Sequence, residues 1–303
     1  MMRRLFNSWA LSLLTILTSS CAAEPAISQS SPAPITQATS TPEQPEEESK
    51  LIRDYFVDDD RLTYLGYEVV KLEKSVKDKY PSEINSPPRM IDVTYAVLKK
   101  NGRVLAKFEG VYFGMGNETE FGLFPFLGGE TKQLIVSQTI FRGGRHWIVS
   151  LTPSFRVVYD SNEYDLGREE MRVLDIDNDG VYEVSQELTT FVFFEDITRG
   201  STHIIDIVLK YDERAKKYLP ASHIFQDYTL AGVKDRPVSL NRADEKSLAS
   251  DVLRLMLPYI YAGRREEAWD YYNREYTLPN KEELKAKIMA ALKEDAVYNY
   301  IYR

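Results

Sequence analysis

One stretch of the chain, residues 175–183, has residue types and a spacing suited to binding a hard cation. Calcium takes six to eight oxygen ligands at about 2.3–2.6 Å, and alternate side chains of a tight loop can turn inward around it. Gly180 permits the sharp turn that such a loop needs. The residue after it, Val181, offers a backbone carbonyl. The sequence therefore predicts a calcium site whose ligands are Asp175, Asp177, Asp179, Val181 (through its carbonyl) and Glu183.

A turn with the same residues and no ion is the alternative interpretation. Three aspartates within five residues repel one another if a fold holds them together without a cation, which favours a bound ion. Magnesium fits less well than calcium, because it demands a tighter octahedron and keeps its waters. A phosphatase nucleophile is disfavoured: residues 173–178 resemble the start of a haloacid-dehalogenase motif, but that fold alternates strands with helices.

The stretches on both sides of this loop have the pattern of strands. An EF-hand has helices there, and it has a glutamate at the twelfth loop position, where this chain has Gln186. The loop instead resembles the strand-flanked DxDxDG loops of FG-GAP and VCBS-type repeats. That resemblance implies the same five ligands, at loop positions one, three, five, seven and nine. Those families usually show several such loops and this chain shows one, which argues against a complete propeller.

The first 21 residues have the pattern of an export signal. Arg3 and Arg4 precede an apolar stretch, residues 5–17, that is too short to span a bilayer. Small residues then lead to Cys21, an arrangement that resembles a bacterial lipobox. Cys21 is the single cysteine of the chain, so an internal disulfide is not possible.

The lipobox resemblance implies that Cys21 is lipidated and anchors the chain to a membrane. Ala22 rather than Asp follows the cysteine, which in lipoproteins of double-membrane bacteria resembles the outer-membrane sorting pattern. We therefore expect the bacterial cell envelope, at the outer membrane, as the location. An ordinary secretory signal cleaved near residues 22–23 is the alternative.

Four regions follow from composition and periodicity. Residues 1–21 are the signal peptide with its lipidation site, and residues 22–50, rich in Ser, Pro, Thr, Gln and Glu, are a disordered tether. Residues 51–235 are predicted to form an all-β domain that holds the calcium loop. Residues 236–303 are predicted to form a helical segment. The net charge of −8 argues against nucleic acid as a partner.

The β pattern consists of short strands separated by turns. Asn101-Gly102 between two alternating stretches is the strongest hairpin signal, and further hairpins are predicted around residues 142–145 and 212–215. Residues 68–77 fit a strand or a helix. We predict a mainly β fold, an antiparallel sheet stack arranged as a sandwich or a partial propeller, followed by a small C-terminal α-helical segment.

The helical segment contains three predicted helices, with Asn280 as the N-cap of the third. Residues 259–279 resemble a tetratricopeptide-type helix pair, on the turn glycine Gly263, the small Ala268 and the following Pro279. Such repeats need neighbours to bury their faces, and no second copy is visible. A helical hairpin packed on the β domain and an appendage that binds a protein partner are both open.

No catalytic constellation is visible, so no catalytic residue is predicted. His146, His203 and His223 stand in strand-like or apolar settings, and no HExxH, Gly-x-Ser-x-Gly or phosphate-loop motif occurs. The sequence favours a cell-envelope lipoprotein with a structural calcium site and a binding or structural role. The alternatives are a secreted hydrolase with the ion near its cleft and an envelope assembly factor that uses its C-terminal helices.

Overall fold

Short stretches in which apolar and polar residues alternate form antiparallel strands up to residue 220. The computed structural model describes residues 50–77, 90–110, 117–140, 143–167, 171–191, 194, 205–234, 240 and 244–303. The predicted signal peptide (1–21), its Cys21 and all but the last residue of the predicted tether (22–50) lie outside the described residues. All described residues belong to one compact unit, Glu46–Arg303.

The described strands form three antiparallel sheets. The sheet that we call the outer sheet has the order β2-β3-β4-β5, the middle sheet β6-β7-β8-β9, and the loop sheet β1-β10-β11-β12-β13. The strands are β1 (Lys50–Leu51), β2 (Arg61–Tyr64), β3 (Tyr67–Lys77), β4 (Met90–Lys100), β5 (Arg103–Phe108), β6 (Glu118–Phe124), β7 (Gln133–Ile140), β8 (Gly143–Ser150), β9 (Arg156–Asp160), β10 (Arg172–Leu174), β11 (Glu183–Glu187), β12 (Asp206–Asp212) and β13 (Lys217–Pro220).

Helices follow the strands toward the C-terminus. They are α1 (Gln226–Lys234), α2 (Glu245–Tyr261), α3 (Arg265–Glu275), α4 (Lys281–Glu294) and α5 (Ala296–Ile301). The predicted fold class, mainly β with a small C-terminal helical segment, is confirmed. No helix in the described part of the chain is long and apolar enough to cross a membrane.

The three predicted hairpins are present. Asn101 and Gly102 form the two-residue turn between β4 and β5, with φ of 51° and 75°, the left-handed geometry that a type I′ turn requires. In the second hairpin Gly143 and Gly144 already pair with β7, so β8 begins within the residues predicted to form the turn. In the third, Asp212 Oδ1 accepts hydrogen bonds from backbone N–H groups of the turn.

The middle sheet is packed on both faces, which explains why three consecutive apolar residues of β7, Leu134 to Val136, are all buried. Leu134 and Val136 belong to the core cluster shared with the outer sheet, together with Leu98 of β4. Ile135, between them in sequence, belongs to the other cluster. That second cluster also contains buried residues of the loop sheet and of α2 to α5, among them Val184. The helices and the β-strands therefore share one hydrophobic core.

One helix was not predicted from the sequence. Helix α1 lies within residues 51–235, which were predicted to form an all-β domain; it is nine residues long and Leu230 is its one fully buried hydrophobic residue, so its periodic signal is weak. Asn280 stands at the N-cap of α4, but its side chain makes no capping hydrogen bond. Its Oδ1 accepts instead from the hydroxyl of Tyr276, and its Nδ2 donates to Glu245 at the start of α2.

The aromatic residues of α3 pack into the shared core. Tyr272 is fully buried and stacks on Tyr276 with ring centroids 5.4 Å apart. Its hydroxyl donates a hydrogen bond to the carbonyl of Lys281 at 2.7 Å. The turn residue Gly263 has a φ of 80°, and a Cβ there would lie 3.1 Å from the Cβ of His223. The helical hairpin is thus packed against the preceding part of the chain.

One buried carboxylate connects the loop sheet's side of the core to two helices. Asp295 Oδ2 accepts hydrogen bonds from the hydroxyls of Thr190 at 2.6 Å and Tyr261 at 3.0 Å. Its Oδ1 accepts from the backbone N–H of Tyr298 at 2.8 Å and so caps α5. Burial raises the pKa of Asp295 above its ordinary value, although these hydrogen bonds oppose the shift.

This shift predicts a pH-dependent contribution to stability. Because the folded-state pKa of Asp295 is raised, the contribution is fully present below the ordinary value of 3.8 and is lost as the pH rises through the folded-state value. We expect the free energy of unfolding of the wild type, relative to Asp295→Asn, to fall over that window and to be constant above it. Urea unfolding at a series of pH values measures this difference; a difference that grows with pH would contradict the assignment.

Candidate metal centre

The predicted cation loop connects two adjacent antiparallel strands. Residues 175–182 join β10 to β11, which pair from Arg172↔Ser185 to Leu174↔Glu183. The strand flanks predicted from the sequence are therefore confirmed. Asn178 and Gly180 have φ of 57° and 80°, the left-handed conformation that glycine and asparagine adopt at least cost. The tight turn expected at Gly180 is thus present.

Backbone N–H groups hold three of the four predicted carboxylates, each through one oxygen. Gly180 N donates to Asp175 Oδ2 at 3.0 Å, and Val181 N donates to Asp179 Oδ1 at 2.8 Å. Ile176 N donates to Glu183 Oε2 at 2.9 Å. In each case the second oxygen is left for another partner. The loop therefore orients these side chains before any ion binds.

Three of the predicted ligands offer oxygens that lie close together. One carboxylate oxygen from each of Asp175, Asp177 and Glu183 lies within 4.8 Å of the other two. Glu183 is fully buried, whereas Asp177 is exposed. Asp175 Oδ1 and Glu183 Oε1 are buried atoms without a hydrogen-bond donor. Burial raises the pKa of Glu183, against the opposing effects of the hydrogen bond from Ile176 N and of the charge on Lys210. This acidic cluster can hold a metal ion.

The other two predicted ligands and the twelfth loop residue are placed as follows. Asp179 is not one of the three mutually close residues, and Val181 contributes its N–H to Asp179. Gln186 lies on β11 three residues after Glu183 and so points to the opposite face of the strand. It is buried, and its Oε1 accepts a hydrogen bond from the hydroxyl of Tyr159. The absence of a twelfth ligand, expected from the sequence, is therefore explained by strand geometry.

The sequence prediction missed a basic residue that lies in the cluster. Lys210, on β12 beside β11, has its Nζ 2.6 Å from Asp177 Oδ2, 2.8 Å from Asp179 Oδ2 and 3.2 Å from Glu183 Oε1. The contact with Glu183 is an ion pair without hydrogen-bond geometry. No local motif marks Lys210, because only the pairing of β11 with β12 brings it to the loop.

This lysine and its carboxylates shift one another's pKa values. The hydrogen bond from Lys210 holds the pKa of Asp179 below its ordinary value. Partial burial lowers the pKa of Lys210, but the hydrogen bonds to Asp177 and Asp179 and the ion pair with Glu183 outweigh it and raise the pKa above the usual range. The lysine is therefore charged at neutral pH and acts as a cation for the cluster.

A connection of the middle sheet fixes the position of the loop. Tyr182 N donates to the carbonyl of Phe126 at 2.9 Å, and the hydroxyl of the buried Tyr218 donates to the carbonyl of Tyr182 at 2.9 Å. Gly128, in the β6–β7 connection, has a φ of 71° and lies against the turn. A Cβ on Gly128 would stand 2.5 Å from the carbonyl oxygen of Gly180. The loop therefore depends on a glycine from another sheet.

Two neighbouring glycines allow this contact to be tested. Gly128 and Gly129 both have positive φ, but a Cβ on Gly129 meets no atom within 4 Å. We expect Gly129→Ala to cost about 1–2 kcal/mol through backbone strain. Gly128→Ala should cost about 1–3 kcal/mol more, because the Gly180 carbonyl must move. Chemical denaturation of both variants measures the difference, and equal destabilisation would show that Gly128 does not support the loop.

The histidines do not contribute to the cluster in the part of the chain that the structure describes. His146 is buried on β8, and its Nδ1 is 2.9 Å from the hydroxyl of Ser137 on β7. His223 lies beside Gly263 of the α2–α3 turn. His203 lies outside the described residues. Among the described residues, the cluster consists of acidic residues and Lys210.

Comparison of the chain with family models, with curated proteins and with solved structures finds no match in any of the three.

Proposed function

We propose that this chain is a cell-envelope lipoprotein with a binding or structural role, in which one calcium ion stabilises the turn between β10 and β11. The observation that supports the ion most directly is that two buried oxygens, Asp175 Oδ1 and Glu183 Oε1, make no hydrogen bond, in residues whose carboxylates come within 4.8 Å of each other and of Asp177. A buried carboxylate oxygen without a hydrogen bond is costly, and a cation bound by the cluster would remove that cost.

The chemistry of the donors favours calcium over other metals. The available ligands are carboxylate oxygens, with the carbonyl of Val181 as the fifth group that the resemblance to FG-GAP and VCBS-type loops implies. Such all-oxygen sets suit hard cations, whereas zinc and copper prefer nitrogen and sulfur. Calcium accepts a large and irregular shell of such oxygens, whereas magnesium demands a strict octahedron and keeps its waters.

A structural role for the ion agrees with where the loop lies. It joins adjacent strands of the loop sheet, and Tyr182 at its end is hydrogen-bonded to the middle sheet. An ion at this turn would stabilise the packing of two sheets rather than present a reactive group. The proposal of a lipid anchor rests on the sequence alone, on the export signal and the lipobox-like residues that end at Cys21.

The calcium site predicts calcium-dependent stability. With calcium at about ten to a hundred times its Kd, the ion should contribute about 1.4–2.7 kcal/mol. Calcium should raise the melting temperature of the wild type, and chelation should lower it. Asp175→Ala and Asp177→Ala should each abolish the calcium-induced shift. Differential scanning calorimetry with calcium, magnesium or chelator measures this.

The matched control for these variants is Asp212→Ala, which also removes an aspartate that accepts backbone N–H groups in a turn of the loop sheet. It should keep the full response to calcium. A wild-type melting temperature that is the same with calcium and with chelator would refute the site.

The lipid anchor predicts a change in fractionation. The full-length chain expressed in a bacterium should be found with the membranes and should incorporate labelled fatty acid at Cys21. Cys21→Ser should lose the label, because serine offers no thiol for the thioether to diacylglycerol. Membrane fractionation and metabolic labelling measure both effects; an unlabelled wild-type chain would show that the export signal is an ordinary one.

A further inference from the structure

We propose that Lys210 is a built-in competitor of the metal ion, so that the ammonium group and the ion are alternative occupants of one acidic cluster and binding of the ion expels the lysine. This inference rests on the proposed calcium site and specifies how its affinity is set. Lys210 Nζ already lies among these carboxylates, at 2.6 Å from Asp177 Oδ2 and 3.2 Å from Glu183 Oε1.

The two cations use the same ligands. Asp177 and Glu183 belong both to the group of oxygens that can hold an ion and to the ion pairs of Lys210. Asp179, a predicted ligand, gives its second oxygen to Lys210 as well. A calcium ion at about 2.3–2.6 Å from these oxygens would lie next to an ammonium group of the same sign. Repulsion between them therefore makes simultaneous occupation unfavourable.

The ammonium group satisfies the cluster only in part. An ammonium has three N–H donors, and here the group is directed at Asp177, Asp179 and Glu183. Asp175 Oδ1 stays buried without a donor, and Glu183 Oε1 has an ion pair but no hydrogen bond. One positive charge also faces four carboxylates. A divalent ion with six to eight ligands can contact Asp175, Asp177 and Glu183 together and neutralises more of the charge.

The position of Lys210 allows it to leave without rearranging the sheet. Its backbone is fixed in β12 by the pairing Lys210↔Leu219, so expulsion needs only rotation of the side chain. About a quarter of that side chain (26%) is already exposed to solvent, and the four-carbon stem is flexible. In the absence of the ion, Lys210 would keep the carboxylates together and the turn folded.

Competition predicts that removal of the lysine tightens calcium binding. If Lys210 occupies the cluster in about nine molecules of ten, only about one molecule in ten can bind calcium directly. The apparent calcium affinity is then about tenfold lower than that of a cluster without the lysine. Lys210→Met keeps the length of the stem and removes the charge. We expect it to bind calcium about tenfold more tightly than the wild type in calorimetric titration. Its melting temperature without calcium should fall, because the carboxylates lose their counter-charge.

The matched control is Lys217→Met, which removes a charged lysine from the neighbouring strand β13, where it pairs with Glu163. Its calcium affinity should stay within about twofold of the wild type, since exposed charges at a distance are screened by salt. Lys210→Gln is the second variant, should Lys210→Met fail to fold. Acylation of wild-type lysines, followed by mass spectrometry, needs no variant: calcium should increase labelling at Lys210 and leave Lys217 unchanged.

The outcomes separate the competition from the calcium site itself. If the wild type and both Lys210 variants bind calcium equally, or the variants bind it more weakly, the competition is refuted while the site stands. Unchanged labelling of Lys210 in calcium-saturated wild type refutes the competition in the same way. If only the Lys210 variants bind, the competition is supported, and the lysine rather than calcium is the natural occupant. If no variant binds, both ideas fail.

Discussion

Carboxylates that a turn brings together repel one another unless a positive charge lies between them. In this chain the constraint is strong, because Glu183 is fully buried and cannot be screened by water. N–H groups of the loop backbone stabilise part of the negative charge by donating a hydrogen bond to one oxygen each of Asp175, Asp179 and Glu183. The remaining oxygens depend on Lys210 or on an ion. The pairing of β10, β11 and β12 brings these carboxylates and Lys210 together.

Elements outside the loop sheet hold this turn in position. The middle sheet is packed on both faces, and its β6–β7 connection supports the loop through Phe126 and Gly128. The loop sheet shares its core with the helices, and Asp295 joins the two through side-chain hydroxyls. A site assembled in this way is positioned by rigid elements rather than by a free surface loop. Binding of an ion therefore costs less conformational entropy.

The parts of this arrangement that could be predicted from sequence are those encoded within a few residues. The Asn101-Gly102 hairpin, the strand flanks of the acidic loop and the turn at Gly180 each depend on local backbone preferences. The fold class follows from the change of hydrophobic period near residue 244. Lys210 and Gly128 could not be found in this way, because their roles depend on which strands pair and which sheets stack. Long-range register leaves no local signal.

The side-chain contacts of Asn280 have a related cause. Its residue type predicted the N-cap position, which is confirmed, but its side chain makes no capping hydrogen bond. Tyr276 and Glu245 offer competing partners that arise only when α2, α3 and α4 pack together. Tertiary contacts thus replaced a local preference. The short helix α1 escaped prediction for the opposite reason, since its single fully buried hydrophobic residue, Leu230, leaves almost no periodic signal.

The position of β1 has a mechanical consequence for the acidic turn. β1 consists of Lys50 and Leu51, and it pairs with β10 through Lys50↔Val173 and Leu51↔Arg172. A pulling force applied to the chain before residue 50 is therefore transmitted first to β10, two residues from Asp175. A cation that cross-links Asp175 to Glu183 would tie β10 to β11 at the point where the load arrives. With an ion bound, the turn would reinforce the sheet against tension.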